Sequence, residues 1–458
     1  MKILNHIIIL LVTGVLTIGG LFALSSCGED LPDAPEEEPT ETPGSADEPG
    51  AEKPEEPSAP IVKSSDINLT VAEESLAEAT IANSFRLLRL QSEIERKNSA
   101  PEANIMISPL SLSWALSMVA NGAAGESQAE IIRGLGYDGH SMAEINDYFH
   151  KLYGELTSLD EYSTLNIAGS LWFRSDMKPY VSESFAKCLS EKYYAPVDFV
   201  RSFETEETRL AINNWCAGTT DGFIKELIKE SLPDDLFLFL ANVLYFKGQW
   251  ACPFDAKMTK ETPFYNEDGS TSTVRMMNSE EMSFEEVAGD GFHALKLPYG
   301  NQAFSMTIVL PDKGLALDDC LERMEAGATA LTALAKGEGW HGTHIVSLPA
   351  FETEYECNFE DVISDNLSIR KIFDKDEADL SSMFDVSKMN DKRSLNYPTQ
   401  VCKIAVDEKG TEAAGVTVIT GAETVNGNLY FTVDRPFVFV ISERSTGLPI
   451  FMGRVTAL

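Results

Sequence analysis

The pattern of apolar and polar residues separates a short N-terminal part of the chain from a long remainder. Residues 7–24 form an almost unbroken apolar run behind the basic start Met1-Lys2, and Ser25, Ser26 and Cys27 close the run with small side chains. This order predicts a secretory signal over residues 1–26. An apolar run of eighteen residues could also span a bilayer as an uncleaved anchor.

The segment after the apolar run is polar and acidic. Residues 28–60 contain eight prolines and twelve acidic residues but only one lysine, Lys53. A segment of this composition cannot bury enough apolar surface to fold, and its like charges keep it extended. We therefore expect residues 27–66 to be a tether. Residues 67–458 contain no internal repeat and no linker-like break, although the total length alone would favour two domains.

A strand-like segment near the C-terminus leads into a run of small residues. Residues 401–407 are strand-like, and residues 408–417 read Glu-Lys-Gly-Thr-Glu-Ala-Ala-Gly-Val-Thr. In an extended chain alternate side chains lie on opposite faces, so positions 411, 413, 415, 417, 419 and 421 share one face. The only charge in residues 411–422 is Glu412, which lies on the other face. The uncharged face could be buried between strands without an unpaired charge, although the composition also fits a flexible surface loop.

The order of Glu408, Gly410, Thr411 and the following small residues resembles the hinge of the reactive-centre loop in inhibitory serpins. Further segments resemble other parts of the same family and follow its order along the chain. They are residues 104–113, 237–254, 297–299, 306–312, 373, 378–381, 431–441 and 447–455. The resemblance therefore implies one large serpin domain over residues 67–458.

The resemblance implies the fold and the mode of action. The expected fold is α+β, with a large central mixed β-sheet, two further sheets, eight to nine helices and an exposed reactive-centre loop. The expected activity is that of a suicide-substrate inhibitor and not of an enzyme. A serine protease cleaves the loop, the loop inserts into the central sheet, and the acyl-enzyme is trapped.

The family resemblance also assigns roles to individual residues. The hinge comprises Glu408, Gly410, Thr411, Ala413, Ala414 and Thr417. Ser108 and Ser111 with Asn242 resemble the family's shutter beneath the sheet opening, and Trp250 with Glu408 resembles the breach at its top.

Gln400 departs from the family pattern, because a histidine is usual at this position of the shutter. An amide can donate and accept hydrogen bonds as a neutral imidazole does. We therefore expect the hydrogen bonding to be kept and the pH response of the shutter to be lost.

Two counts place the cleaved bond in almost the same position. The family's usual spacing, counted forward from Glu408, gives Thr424-Val425, whereas counting back from residues 435–437 gives Val425-Asn426. No Lys or Arg occurs between Thr411 and Asp434. The acidic pocket of a trypsin-like protease would stay unpaired against such a loop, so an elastase-like target is predicted, with subtilisin-like and papain-like proteases as alternatives.

The charge of the chain excludes some partners. The net charge is −36, and residues 28–60 contribute −11 of it, so nucleic acid would be repelled. Heparin-like polyanions need a basic cluster on a helix face, and none occurs near residues 141–152. We expect no cofactor.

The sequence offers little for catalysis or metal binding. It contains neither a Gly-x-Ser-x-Gly elbow nor a His-Glu-x-x-His helix. Residues 337–342 match Gly-x-Gly-x-x-Gly, but they follow a helix-like run and precede a strand-like one, the reverse of a dinucleotide site. His341 and His344 would face opposite sides of an extended chain, so no metal site is expected.

The cysteines also lack a functional spacing. Apart from Cys27, six are irregularly spaced without a Cys-x-x-Cys pair, and mostly unpaired, buried thiols are expected.

The sequence Leu-Ser-Ser-Cys at the end of the apolar run resembles the lipobox of bacterial lipoproteins. It implies lipidation of Cys27 and an exported lipoprotein of the outer membrane. Glu29 and Asp30 shortly after Cys27 resemble export signals for surface display in some lipoproteins, and the serpin resemblance implies a monomeric domain. An incidental cysteine near an ordinary signal cleavage site is the alternative. The rival functional hypothesis is a non-inhibitory serpin acting as a surface binding protein. Such proteins typically carry bulky or charged hinge residues, which this chain lacks.

Overall fold

The computed structural model describes residues 64–98, 103–233, 235–389, 392–396, 398–411 and 429–458. These ranges contain eight α-helices: α1 (Val71–Asn98), α2 (Pro109–Gly122), α3 (Gly125–Gly134), α4 (Met142–Leu156), α5 (Glu183–Lys192), α6 (Glu206–Thr219), α7 (Leu317–Ala326) and α8 (Ala328–Lys336). Short 3-10 or π turns occur at Ser175–Met177, Val362–Asn366, Lys371–Phe373 and Val386–Lys388.

Sixteen strands complete the described part of the fold. They are β1 (Ile105–Ile107), β2 (Ser163–Arg174), β3 (Val197–Val200), β4 (Leu238–Gln249), β5 (Lys260–Tyr265), β6 (Thr271–Asn278), β7 (Met282–Gly289), β8 (Phe292–Pro298), β9 (Phe304–Pro311), β10 (Trp340–Pro349), β11 (Phe351–Asn358), β12 (Thr399–Asp407), β13 (Gly410–Thr411), β14 (Leu429–Thr432), β15 (Phe437–Glu443) and β16 (Pro449–Val455).

The described strands form two sheets. The six-stranded sheet has the order β11-β12-β13-β4-β2-β3, and the ten-stranded sheet has the order β1-β16-β15-β9-β8-β7-β10-β6-β5, with β14 paired to β10. The ten-stranded sheet is continuous because the first half of β10 pairs with β7 and its second half with β6. Both sheets are mixed, since β2 and β3 are parallel, as are β10 and β14. The predicted α+β class is confirmed, but the two sheets expected beside the central one form a single ten-stranded sheet among the described strands.

Helix α2 begins where the sequence favours a helix start, and it lies in the core. Pro109 occupies the first turn, and the Ser108 side chain accepts a hydrogen bond from the backbone N–H of Ser111. Thirteen of the fourteen residues of α2 are buried, so the helix is enclosed on all sides.

The strands show two burial patterns. Buried and exposed residues alternate strictly along β11, as in a strand with one face on the core, whereas every residue of β9, β15 and β16 is buried. Among the described residues, no helix combines the length and apolar character needed to cross a membrane.

Candidate functional site

The hinge begins as a tight turn between β12 and β13. The carboxylate of Asp407, the last residue of β12, accepts hydrogen bonds from the N–H groups of Lys409 and Gly410, at 2.8 and 3.2 Å. Gly410 has φ = 150°, and a Cβ atom at this position would lie 2.1 Å from the carbonyl oxygen of Gly248. Only glycine allows the backbone to approach β4 this closely.

Strand β13 lies between β12 and β4. Gly410 pairs with Asp407 and Gln249, and Thr411 pairs with Val406 and Gly248, with both ladders antiparallel. Strands β12 and β4 therefore run parallel to each other. Among the described strands no ladder joins β4 directly to β12, so their connection runs through the two residues of β13.

Thr411 is buried against an aromatic pair beneath the hinge. Its hydroxyl and that of Tyr299 share a hydrogen bond of 2.7 Å, and both residues are at most 2% exposed. Burial raises the pKa of Tyr299, an effect that its hydrogen bond with Thr411 partly opposes. The ring of Tyr299 stacks on that of Trp250, with 4.4 Å between centroids and 7° between planes. Thr411 thus faces the main core.

Trp250 also holds the turn, through hydrogen bonds to two of its backbone carbonyl oxygens. Its indole N–H donates to the carbonyl oxygen of Asp407 at 2.9 Å, and its backbone N–H donates to that of Lys409 at 2.8 Å. A single aromatic residue thus fixes both ends of the turn that separates β12 from β13.

Glu408 fastens the same turn to β6. Its carboxylate accepts hydrogen bonds from the Thr259 hydroxyl, at 2.8 Å, and from the Arg275 guanidinium. Burial by itself would raise the pKa of Glu408. Hydrogen bonds from its own backbone N–H, from Thr259 and from Arg275, together with the charge of Arg275, outweigh this effect and hold the pKa below its usual value. We call Trp250, Tyr299, Glu408 and Thr411 the breach cluster.

A second polar group lies farther down the same sheet. The Ser111 hydroxyl donates to the side-chain oxygen of Asn242 at 2.7 Å, and the Asn242 amide donates to the Ser111 carbonyl oxygen at 3.1 Å. Asn242 lies on β4 and Ser111 on α2, so this pair connects the sheet to the buried helix.

Gln400 forms the matching contact from β12. Its amide oxygen accepts from the backbone N–H of Ser108 at 2.7 Å, and its NH₂ group donates to the Ser108 carbonyl oxygen at 3.1 Å. The Ser108 hydroxyl donates to the Ile450 carbonyl oxygen at 2.8 Å. We call Ser108, Ser111, Asn242 and Gln400 the shutter cluster. The structure brings all four residues together at the N-terminus of α2.

Several predicted residues lie outside the described residues. They are the hinge residues Ala413, Ala414 and Thr417, the predicted cleaved bond Thr424-Val425, and Cys27 with the signal and almost the whole tether.

Sequence reasoning missed the partners that anchor the hinge. Tyr299 belongs to a family-like segment but carries no role that the resemblance assigns, and nothing in the sequence singles out Thr259 or Arg275. Arg275 belongs to β6, where its 62% exposed side chain resembles any other surface residue. No local pattern marks a residue whose partner lies 133 positions away along the chain.

His341, His344 and the six described cysteines differ in how deeply they are buried. His344 is buried, whereas His341 on the same strand is exposed. Cys188, Cys216, Cys252, Cys320, Cys357 and Cys402 are free, and the last three and Cys216 are buried. Burial raises the pKa of the Cys216 and Cys320 thiols to about 12, which keeps both protonated and unreactive at neutral pH.

Comparisons with known proteins point to one family. The family model described as "Serpin (serine protease inhibitor)" matches residues 82–458. Leukocyte elastase inhibitor A of Mus musculus is 31% identical over 396 residues, covering 83% of this chain and 99% of that protein. Leukocyte elastase inhibitor of Bos taurus is 32% identical, covering 78% of this chain and 94% of that protein.

A solved structure agrees with this match. The native-state structure of tengpin, a thermophilic serpin, superposes with a TM-score of 0.72 at 26% identity, covering 87% of this chain and 98% of that one.

Proposed function

Because this chain belongs to the serpin family of serine protease inhibitors, we propose that it inhibits a serine protease as a suicide substrate. The protease attacks the segment between β13 and β14 and becomes acylated through its catalytic serine. Release of the loop at the cleaved bond lets residues 412 onward continue β13 between β12 and β4. The loop carries the bound protease with it, and deacylation stalls.

One observation carries this proposal. Gly410 and Thr411 already pair with both β12 and β4, while no ladder joins these two strands directly in the described part of the sheet. Extension of β13 therefore adds backbone hydrogen bonds on both edges without first breaking a β4–β12 ladder. The gain in hydrogen bonds and buried area favours insertion once cleavage removes the constraint at the far end of the loop.

The predicted target is an elastase-like protease. The loop contains no Lys or Arg between Thr411 and Asp434, and Thr424 and Val425 are themselves β-branched, with Ala422 and Glu423 before them. A small pocket accepts such side chains, whereas a pocket with a buried carboxylate would lose its ion pair. The names of the mammalian relatives, leukocyte elastase inhibitors, support the same choice.

The proposed location follows from the N-terminus. The sequence around Cys27 and the acidic segment 28–60 support an outer-membrane lipoprotein whose monomeric inhibitor domain lies at the cell surface. In cells, Cys27→Ser should move the protein from the membrane to the soluble fraction. An unchanged membrane fraction would contradict lipidation at Cys27.

Complex formation with an elastase tests the inhibitory function. Purified protein mixed with the active protease should give a species that resists SDS and has the summed mass of both partners. Elastase with a chemically blocked active serine is the matched control and should give no such species, since no acyl bond can form. Trypsin should also give none. If active elastase yields only clipped chain and free protease, the chain is a substrate and the proposal is wrong.

A further inference from the structure

A buried carboxylate lies next to the breach cluster. Asp160 precedes β2 and is 8% exposed. Its carboxylate accepts hydrogen bonds from the backbone N–H groups of Tyr162 and Asn301, at 3.0 and 3.3 Å, and from the Ser163 hydroxyl at 2.6 Å. Asn301 lies 141 positions away along the chain, between β8 and β9. Asp160 therefore joins the start of β2 to the turn between β8 and β9.

The hydrogen bond from Ser163 acts on the backbone partner of the hinge. Ser163 pairs with Gly248 in the ladder between β2 and β4, and Gly248 pairs with Thr411 in the ladder between β4 and β13. Three strands thus lie side by side at this level. Buried polar groups whose hydrogen bonds are all formed make the backbone that they join rigid. By fixing Ser163, Asp160 fixes the strand end against which Gly248 is aligned.

The hydrogen bond from Asn301 acts on the side-chain partner of the hinge. Tyr299, whose hydroxyl bonds to Thr411, directly follows β8 and begins the same turn. Gly300 has φ = 39°, and a Cβ atom at this position would lie 2.3 Å from a carboxylate oxygen of Asp160. The backbone of the turn therefore lies directly on this carboxylate, which determines where the Tyr299 ring points into the breach cluster.

We propose that Asp160 is a positioning residue for the hinge. It holds both partners of Thr411, the Gly248 backbone and the Tyr299 hydroxyl, and it thereby keeps residues 410 and 411 between β12 and β4 before cleavage. The consequence for protease trapping rests on the proposed function, because extension of β13 starts from these two residues. A hinge that leaves this position must return to it before insertion can proceed, and hydrolysis of the acyl-enzyme gains time.

Two substitutions at Asp160 separate hydrogen bonding from charge. In Asp160→Asn, the amide oxygen can accept from the two backbone N–H groups, and the NH₂ group can donate to the Ser163 hydroxyl, which also accepts. In Asp160→Ala all three hydrogen bonds are lost, and two buried N–H groups lose their acceptor. We therefore expect Asp160→Asn to resemble wild type and Asp160→Ala to release the hinge.

The first test measures amide hydrogen exchange at residues 408–411 of the uncleaved full chain, without any protease. Exchange should be about tenfold faster in Asp160→Ala than in wild type, and close to wild type in Asp160→Asn. Equal exchange in Asp160→Ala and wild type would overturn the proposal, whether or not the chain is an inhibitor.

Glu73→Ala is the matched control for a general loss of stability. The Glu73 side chain is 14% exposed, and its carboxylate accepts hydrogen bonds from the Thr70 backbone N–H at 2.7 Å and from Lys151 at 2.9 Å. These contacts join the start of α1 to α4, and neither helix contributes a residue to the breach cluster. Glu73→Ala should lower the melting temperature and leave exchange at residues 408–411 unchanged.

The second test measures the ratio of clipped chain to SDS-resistant complex with an elastase. This ratio should rise about tenfold in Asp160→Ala and stay near the wild-type value in Asp160→Asn and Glu73→Ala. A lower melting temperature of Asp160→Ala with an unchanged ratio would show a structural role only and refute the proposal. If wild type forms no complex although Asp160→Ala speeds exchange at the hinge, the proposed function fails and the positioning of the hinge stands.

Ser163→Ala serves if Asp160→Ala does not fold, because it removes only one of the three hydrogen bonds. Both the exchange at residues 408–411 and the ratio of clipped chain to complex should then lie between those of wild type and a tenfold change. Wild-type values in both measurements would overturn the role of Asp160.

Discussion

At the scale of single residues, Thr411 couples the loop to the core. It is 2% exposed, its hydroxyl bonds to Tyr299, and its backbone pairs with strands on both sides. Thr411→Arg would place an unpaired charge in this site, at a cost of several kcal/mol, so residue 411 should leave the space between β12 and β4 in the uncleaved protein. Insertion would then have to bury this charge, which the wild-type chain does not have to do. Since about 1.4 kcal/mol changes a rate tenfold, we expect insertion to slow by at least about tenfold and cleavage without trapping to dominate.

The measurement is the ratio of SDS-resistant complex to clipped chain with an elastase. Lys409→Arg is the control, because it keeps a cation at an exposed position two residues away and should inhibit as wild type does. Undiminished trapping by Thr411→Arg would contradict insertion through this site.

A substitution at Gln400 can test whether the stability of the shutter cluster is insensitive to pH. The amide holds both backbone groups of Ser108 and does not titrate. In Gln400→His, a neutral imidazole could still accept from the Ser108 N–H, but a protonated one could not, and burial would disfavour its charge. The folded-state pKa would lie below the ordinary value of about 6.5, so stability should be lost as pH falls through that range.

The expected result is a melting temperature of the uncleaved Gln400→His protein that drops by a few degrees between pH 7.5 and pH 5.5, with a much smaller change for wild type. Equal slopes for the two proteins would refute a role for residue 400 in this response.

The residues that sequence could and could not identify differ in how their contacts arise. Ser108, Ser111, Asn242 and Trp250 belong to family-like segments and match residues with a known place in the family, so their positions were predictable, whereas Tyr299 lies in such a segment without an assigned role. The contacts of Tyr299, Thr259 and Arg275 form only because β8, the start of β5 and β6 lie next to the hinge in the fold. Side-chain contacts of this kind depend on tertiary packing, which local patterns do not encode.

At the scale of secondary structure, the hinge depends on one close approach of two backbones. A Cβ atom on Gly410 would lie 2.1 Å from the carbonyl oxygen of Gly248 and 2.8 Å from the Cα atom of Gln249. Gly410→Ala should therefore separate β13 from β4 and lower the fraction of protease trapped. Gly269→Ala is the matched control, since Gly269 also has a positive φ, of 83°, but an added Cβ would meet nothing within 4 Å. Equal trapping by the two variants would show that the approach of β13 to β4 is dispensable.

The turn between β12 and β13 should respond to acid through Glu408. Its folded-state pKa is depressed, so its contribution to stability is present above the unfolded value of about 4.3 and is lost as pH falls through the folded value. The difference in melting temperature between wild type and Glu408→Gln should therefore be largest near neutral pH and shrink below about pH 4.

Glu352→Gln is the control for this effect. Glu352 also pairs with a cation, Lys403, but its side chain is 61% exposed, so a small difference from wild type is expected at every pH. A Glu408→Gln difference that persists at low pH would contradict the ionic anchoring of the turn.

The fold class and the position of the hinge were predictable from the resemblance of several ordered segments to one family, and not from any local pattern alone. The two-residue strand β13 was not, because the pairing of Gly410 and Thr411 depends on Gln249 and Gly248 from a distant strand. The continuity of the ten-stranded sheet depends similarly on how β10 divides its pairing between β6 and β7.

At the scale of the whole molecule, the charge distribution decides which partners approach. Helix α4 covers residues 141–152 almost completely, where the sequence lacks the basic cluster that a heparin-like polyanion needs. The single lysine of α4, Lys151, pairs with Glu73 at 2.9 Å. With a net charge of −36, the chain repels polyanions and attracts cationic proteins over distances set by the ionic strength.

The association rate with a positively charged elastase should therefore fall by about tenfold or more as salt is raised from dilute to molar concentration, because screening removes electrostatic steering. Deletion of residues 28–60 removes −11 of the −36 charge and should reduce the salt dependence without abolishing it. An elastase of negative net charge is the control and should associate faster as salt rises. Heparin should accelerate neither reaction, since helix α4 offers it no basic face. A rate with the cationic enzyme that is independent of salt would show that local contacts at the loop, and not the acidic surface, govern the encounter.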